Sequence, residues 1–322
     1  MRSIKKVTLL FLIITALLTL LISCELFGSS ASGSVSVTYV YNNEESYTEE
    51  VSLSRFSAPD EPKRTGYKFI GWCTDPELTE FYNFDEKPSR DITLYAKWDT
   101  DYVYLQREIT TKAVLSNVKV ETETSSISAS GTSAKITQGS GVIFHNFADY
   151  YYVITNYHVT EGKGGYFKSY YVTDACGKRY NADFISGSAD YDLAVLKFRS
   201  ASGENLQVAK IDERIPSNRE TLICLGAPNG RFNTVTYGGA VNYKAVDIGG
   251  NKKESNVSFD VLWLDAYAEH GSSGCAILDT DLEVVGITYA VATDQNGEFK
   301  YALVIPAEKI NEFLATTGIK RD

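Results

Sequence analysis

Three side chains in this 322-residue chain have the types needed to open an acyl bond: Ser273, His158 and Asp192. A serine hydroxyl is a weak nucleophile at neutral pH. It needs a base to take its proton, a third group to orient that base, and N–H donors to meet the oxyanion. Ser273 lies in Glu269-His270-Gly271-Ser272-Ser273-Gly274-Cys275, where flanking glycines allow the tight turn that exposes a nucleophile and aims backbone amides at its substrate. His158 follows the apolar run Val153-Ile154, and its competitors for the base are His145 and His270. Asp192 opens Asp192-Leu193-Ala194-Val195-Leu196-Lys197-Phe198, an acid at the mouth of an apolar strand. Each motif is weak by itself, since Gly/Ser loops, structural histidines and turn aspartates are all common. Together they supply one residue for each role.

The segments that carry them read as short strands. Tyr151–Thr155, Leu193–Phe198, Thr221–Leu225 and Glu283–Ile287 are apolar or alternating and are separated by Gly, Asn and Asp turns. Strands at this spacing without intervening helices predict an all-β fold of barrels or a sandwich over 136–322, with a domain start possibly as early as 110. One terminal helix is expected, with Pro306 in its first turn and Ile310, Phe313 and Leu314 at helical spacing, closing a barrel. Residues 99–135 read as a connector that begins to turn into strand at Ala113-Val114-Leu115. The Ser/Thr-rich stretch Glu121–Lys135 within it reads as a flexible loop.

Hydrophobic residues make up 43% of the chain and charged residues 22%, the balance of a folded protein. Residues 1–23 are set apart: Arg2, Lys5 and Lys6 precede an unbroken apolar run from Val7 to Ile22, the layout of a secretory signal peptide. Its end, Leu21-Ile22-Ser23-Cys24, resembles the lipobox of bacterial lipoproteins. The resemblance implies a lipid on Cys24 and an anchor in a membrane of the cell envelope, on the exported side. Residues 24–33 then serve as a flexible tether. Removing the leader's three cations takes the net charge from −10 to −13, which repels phosphate backbones and argues against a nucleic-acid partner. The remaining cysteines, Cys73, Cys176, Cys224 and Cys275, form no CxxC or Cys/His cluster, so no metal site is expected. They read as buried free thiols, although four thiols in an exported chain also allow three disulfide connectivities.

Residues 34–98 form a separate module. It contains the alternating Val35–Tyr41, then Gly66-Tyr67-Lys68-Phe69-Ile70-Gly71-Trp72, Tyr82-Asn83-Phe84, and the closing Leu94-Tyr95-Ala96-Lys97-Trp98. These motifs resemble the Listeria–Bacteroides repeat of internalin B-type surface proteins. The resemblance implies a small β-grasp-like unit that acts as a spacer or meets a surface partner, with no catalytic residues.

Further on, Gly139-Ser140-Gly141, Asn156-Tyr157-His158, Asp192–Lys197 and Leu264-Asp265-Ala266 through Ser273-Gly274 occur in the order of the trypsin-like serine proteases. They are most similar to the HtrA/Deg branch, over roughly residues 110–318. The resemblance implies a two-barrel chymotrypsin-like domain, with His158 as base, Asp192 as its orienter and Ser273 as nucleophile. It puts the oxyanion donors at the backbone N–H groups of Gly271 and Ser273 and calls for no cofactor. It also implies peptide substrates, with a pocket near Tyr267, Ala268, His270 and Thr288. Because the chain stops soon after the closing helix, the C-terminal PDZ domain usual in that branch is expected to be missing. Two alternatives remain open on the sequence: a degenerate protease barrel that only binds partners, and an esterase on the same triad.

Overall fold

The computed structural model describes residues 33–42, 45–128, 131–164, 167–200, 206–246 and 257–320. The leader, Cys24 and the tether up to residue 32 lie outside them. Among the described residues no helix is long and apolar enough to cross a membrane. The chain divides into two compact units between Asp99 and Thr100.

The first unit is a four-stranded sheet in the order β2-β1-β4-β3, formed by β1 (Ser34–Val40), β2 (Ser46–Ser52), β3 (Tyr67–Cys73) and β4 (Ile92–Thr100). β1 pairs antiparallel with β2 and parallel with β4, the parallel central pair of a β-grasp. Among its described residues no helix lies on the sheet. The period-two pattern of β1 buries Val35, Val37 and Tyr39 on one face, against Trp72, Leu94 and Ala96. Trp72 meets Tyr39, Tyr41 and Phe69 edge-on, with ring centroids 4.9, 5.7 and 5.4 Å away.

The second unit holds two closed six-stranded antiparallel barrels. The first is built from β5 (Asn117–Ser128), β6 (Gly131–Phe147), β7 (Tyr150–Thr155), β8 (Phe167–Thr173), β9 (Arg179–Ser188) and β10 (Leu193–Arg199). The second comprises β11 (Thr221–Gly226), β12 (Thr234–Lys244), β13 (Val261–Leu264), β14 (Ala276–Leu278), β15 (Val284–Thr293) and β16 (Phe299–Pro306). Each barrel has its own apolar filling, around Val120, Val153 and Leu196 in the first and Leu222, Leu262 and Val304 in the second. A third core lies between the barrels. There Ile154, Leu193, Ile223 and Ile287 meet Leu105 and Ile109 of helix α1 (Tyr102–Thr111) and Ile310, Phe313 and Leu314 of the C-terminal helix. This is the two-barrel chymotrypsin-like architecture with a closing helix.

Two expectations are corrected. Residues 99–135 hold the expected first strand, which begins at Asn117, but also an unexpected helix: Asp101 Oδ1 accepts from Tyr104 N at 3.0 Å and caps α1, whose Leu105 and Ile109 are fully buried. Residues 121–135 are not a loop, because all of β5 pairs with residues 131–142 of β6, from Asn117↔Val142 to Ser128↔Gly131. The inward positions of β5 include Thr122 and Thr124, β-branched residues that suit a strand while reading as polar. Residues 131–136 of β6 are exposed on both faces, so no apolar alternation betrays the strand. A short helix, α2 (Tyr157–Glu161), follows β7. The expected C-terminal helix, α3 (Ala307–Thr316), is present, but Pro306 ends β16 and stands as its extended N-cap instead of lying in its first turn.

Phe313 is 1% exposed and fills the core between the barrels. Phe313→Ala is expected to cost about 3–5 kcal/mol, the usual range for a buried Phe truncated to a cavity. Thermal or denaturant unfolding would measure it.

Candidate active site

Strand pairing brings the three candidate residues together. β7 and β10 are antiparallel neighbours with Thr155 opposite Ala194. The end of one and the start of the other therefore lie side by side. Beyond Thr155 the chain turns into α2, which presents His158. Just before β10, Asp192 takes a left-handed backbone (φ 48°), a conformation Asp tolerates better than most residues. It is 1% exposed. Its carboxylate accepts from His158 N at 3.0 Å through Oδ1 and faces His158 Nδ1 at 2.8 Å through Oδ2. Asn156 Nδ2 donates to the Asp192 carbonyl at 2.9 Å and fixes this corner.

Since a carboxylate only accepts, the proton of a neutral His158 sits on Nδ1, and Nε2 is left with its lone pair. That nitrogen lies 2.9 Å from Ser273 Oγ, which comes from the second barrel. The backbone joins the barrels at the same point, with Ser140 N of β6 donating to Ser273 O at 2.7 Å. The adjacent Ser272 is excluded as nucleophile: it is 3% exposed and its hydroxyl accepts from Glu269 N at 3.0 Å.

The turn before Ser273 has the backbone of a type II β-turn. Ser272 N donates to Glu269 O at 2.9 Å, and Gly271 sits at φ 90°. A Cβ on Gly271 would come within 2.6 Å of Asn229 N. That same Asn229 N–H donates to the His270 carbonyl at 3.0 Å. In a trans peptide the C=O and the next N–H point in opposite directions, so the Gly271 amide is turned away from Asn229. Among the described residues neither the Gly271 nor the Ser273 amide donates to an acceptor of the chain.

Ser140 ties this turn to the first barrel. Its Oγ donates to Gly271 O at 3.0 Å and accepts from Ala227 N at 2.8 Å, while Thr155 Oγ1 donates to its carbonyl at 2.6 Å. Gly274, at φ 85°, leaves room for this contact; a Cβ there would lie 1.9 Å from Ser140 O.

The four expected pocket residues separate into two pairs. Ala268 and Thr288 are buried, at 3% and 1% exposure, and Thr288 is tied through its backbone to Gly274 and Cys275. Tyr267 and His270 are exposed, and the Tyr267 ring packs edge-on against Phe299. All four described cysteines are free thiols; Cys176 is exposed, contrary to expectation, and the other three are buried. Among the described residues no group of His, Cys, Asp and Glu could hold a metal. The roles of Ser140, Asn156 and Asn229 are not legible in the sequence, although all three lie inside segments that resemble the trypsin-like proteases, Asn229 in Leu225-Gly226-Ala227-Pro228-Asn229-Gly230.

Residues 139–287 match the family model of the trypsin-like peptidase domain, and residues 35–97 match that of the Listeria-Bacteroides repeat domain. The match to the trypsin-like peptidase domain falls wholly within the second unit. The peptidase region is similar to the probable periplasmic serine endoprotease DegP-like of Brucella suis, 29% identical over 177 residues. That match covers 55% of this chain and 32% of the relative. It is also similar to the serine protease Do-like HtrB of Bacillus subtilis, 30% identical over 177 residues, covering 53% of this chain and 36% of the relative. The chain thus spans about a third of the length of the curated relatives it matches. Among solved structures, the HtrA-type protease AlgW with a decapeptide superposes with a TM-score of 0.53 at 22% identity, covering 66% of each chain. Its S227A form gives a TM-score of 0.54 at 21% identity over the same shares. At that identity the likeness concerns the fold alone.

Proposed function

We propose that this chain is a serine endopeptidase of the HtrA/Deg type that cleaves peptide bonds by acyl transfer, held to a membrane on the exported side by a lipid on Cys24. The unbroken line from Ser273 Oγ to His158 Nε2 (2.9 Å) and from His158 Nδ1 to Asp192 Oδ2 (2.8 Å) carries this reading. In it, His158 takes the Ser273 proton as the hydroxyl attacks the scissile carbonyl. The amides of Gly271 and Ser273, already turned away from protein acceptors, receive the oxyanion. His158 then hands the proton to the leaving amine, and Asp192 holds the ring and stabilises its cation. Water repeats the sequence on the acyl-enzyme.

The DegP-like relatives are described as periplasmic, which supports an envelope location, and the AlgW structure holds a decapeptide, which supports a peptide substrate. The repeat module then serves as spacer or as contact to a surface partner. A binder built on a degenerate barrel has no need of this arrangement. The test is labelling of the soluble chain, residues 25–322, by a fluorophosphonate probe, together with digestion of an unfolded protein and of ester substrates. Labelling with peptide fragments supports the endopeptidase; labelling with ester turnover alone would make the protein an esterase. No labelling of folded protein would sink the catalytic reading.

Ser140 provides a prediction that separates positioning from binding. Without its hydroxyl, the Gly271 carbonyl and Ala227 amide lose a shared partner, an effect of about 1–3 kcal/mol. Ser140→Ala is expected to lower kcat by about tenfold or more with KM little changed, because the oxyanion amides act mainly in the transition state. A proportionate rise in KM instead would show that Ser140 serves substrate binding.

A further inference from the structure

Two buried thiols lie directly behind the nucleophile. Cys275 follows Ser273 by two residues, and Cys224 sits on β11, the strand next to β14. In that pairing Cys224 is opposite Ile277, so Cys275, two residues earlier, is its diagonal neighbour on the same face. The direction of the Cys275 side chain agrees: its Sγ lies over Gly226, where a Cβ would meet it at 1.8 Å. The neighbouring Cys224 thiol, and then burial, push the Cys275 thiol well above its usual range. Cys275 Sγ also lies 3.3 Å from Ser140 Oγ, the atom that holds the Gly271 carbonyl and the Ala227 amide.

We propose that Cys224 and Cys275 are a redox modification site: a dithiol that closes to a disulfide by exchange with a small-molecule disulfide and thereby slows the neighbouring nucleophile. The effect on rate rests on the proteolytic reading above; the disulfide itself does not. The chemistry balances with a low-molecular-weight disulfide such as oxidised glutathione. One cysteine thiolate attacks a glutathione sulfur, breaking its S–S bond and releasing one glutathione thiolate. The second cysteine attacks the protein sulfur of the mixed disulfide and releases the other. The protein loses two electrons and two protons, and two molecules of glutathione are formed.

Diagonal neighbours, about 7–8 Å apart, sit at or just beyond what a disulfide spans without backbone movement. Closure therefore draws Cys275 toward β11 and its sulfur away from Ser140 Oγ. That atom loses a donor while the backbone next to Ser273 shifts. The residues are buried, so exchange follows local opening at β14, which is only three residues long.

The experiment uses residues 25–322, which contain both folded units, with Cys176→Ser to remove the exposed thiol. The protein is equilibrated in glutathione mixtures of rising oxidised fraction, then read by peptide mapping and by the rate of fluorophosphonate labelling. The expected result is a Cys224–Cys275 crosslinked peptide with its mass lower by two hydrogens, and labelling slowed by about fivefold or more. Dithiothreitol reverses both, and Cys224→Ala or Cys224→Ser labels at one rate throughout. Failure to crosslink in folded protein, while denatured protein does crosslink, would overturn the site. A crosslink that leaves the labelling rate unchanged would overturn its effect on the nucleophile. A reduced protein that never labels fails the proteolytic reading instead, and the mass shift still reports the dithiol.

Discussion

Replacing Ser273 by Ala is expected to lower peptide turnover by about 10⁴-fold or more and to abolish fluorophosphonate labelling, and His158→Ala should do the same. The two losses should not add. Once the nucleophile is gone, the base at 2.9 Å has no proton to take, so the double variant should sit close to either single one. Steric scaffolding survives in both, because Ser273 is held by backbone bonds: its carbonyl accepts from Ser140 N, and its neighbour Gly274 N donates to Thr288 O at 2.8 Å. Circular dichroism should therefore match the parent. The neighbouring hydroxyl supplies the internal control. Ser272 Oγ is spent inside its turn, so Ser272→Ala should still label. Activity measured on carefully purified variants reads the effect; a Ser273→Ala protein that labels at a parental rate would mean that another residue is the nucleophile.

The sequence shows the barrel strands wherever one face is apolar. Leu193–Phe198 and Thr221–Leu225 lie in cores that demand large side chains, and their runs are plain to read. The β5–β6 hairpin was hidden for a physical reason: beyond Val118 and Val120 its inward positions are Thr122 and Thr124, and its outer portion is exposed on both faces. Helix α1 was hidden because two buried residues, Leu105 and Ile109, and an Asp cap are all that mark it.

The triad candidates could be assigned because a resemblance placed them in order, not because local pattern distinguishes His158 from His145. What no pattern carries is the support around them. Ser140 reaches Gly271 across 131 residues, and Asn156 reaches Asp192 across 36. Both contacts exist only once strands have been paired. Asn229 is more obscure still, since its contribution is a backbone N–H offered from a left-handed corner at φ 50°.

Asp192→Asn isolates the orienting role with nearly unchanged shape. The carboxylate satisfies two donors at once, the His158 backbone N–H through one oxygen and the Nδ1–H through the other. An amide has only one oxygen. If that oxygen faces the backbone N–H, the NH₂ faces Nδ1 and forces it to accept, which moves the ring proton to Nε2, the nitrogen that must take the proton of Ser273. If the amide is reversed, its NH₂ opposes the backbone N–H and the corner that holds the ring is loosened. Neither orientation leaves a base of the right tautomer in place. The Asn156 bond goes to the backbone carbonyl of residue 192, so the left-handed corner and the fold are kept. The expected loss in kcat is about 10⁴-fold, the size of effect seen where a triad aspartate becomes Asn, with little change in unfolding midpoint. A variant that stays within about tenfold of the parent rate would show that His158 needs no carboxylate to act, and that the buried Asp192 serves only to hold the strand ends together.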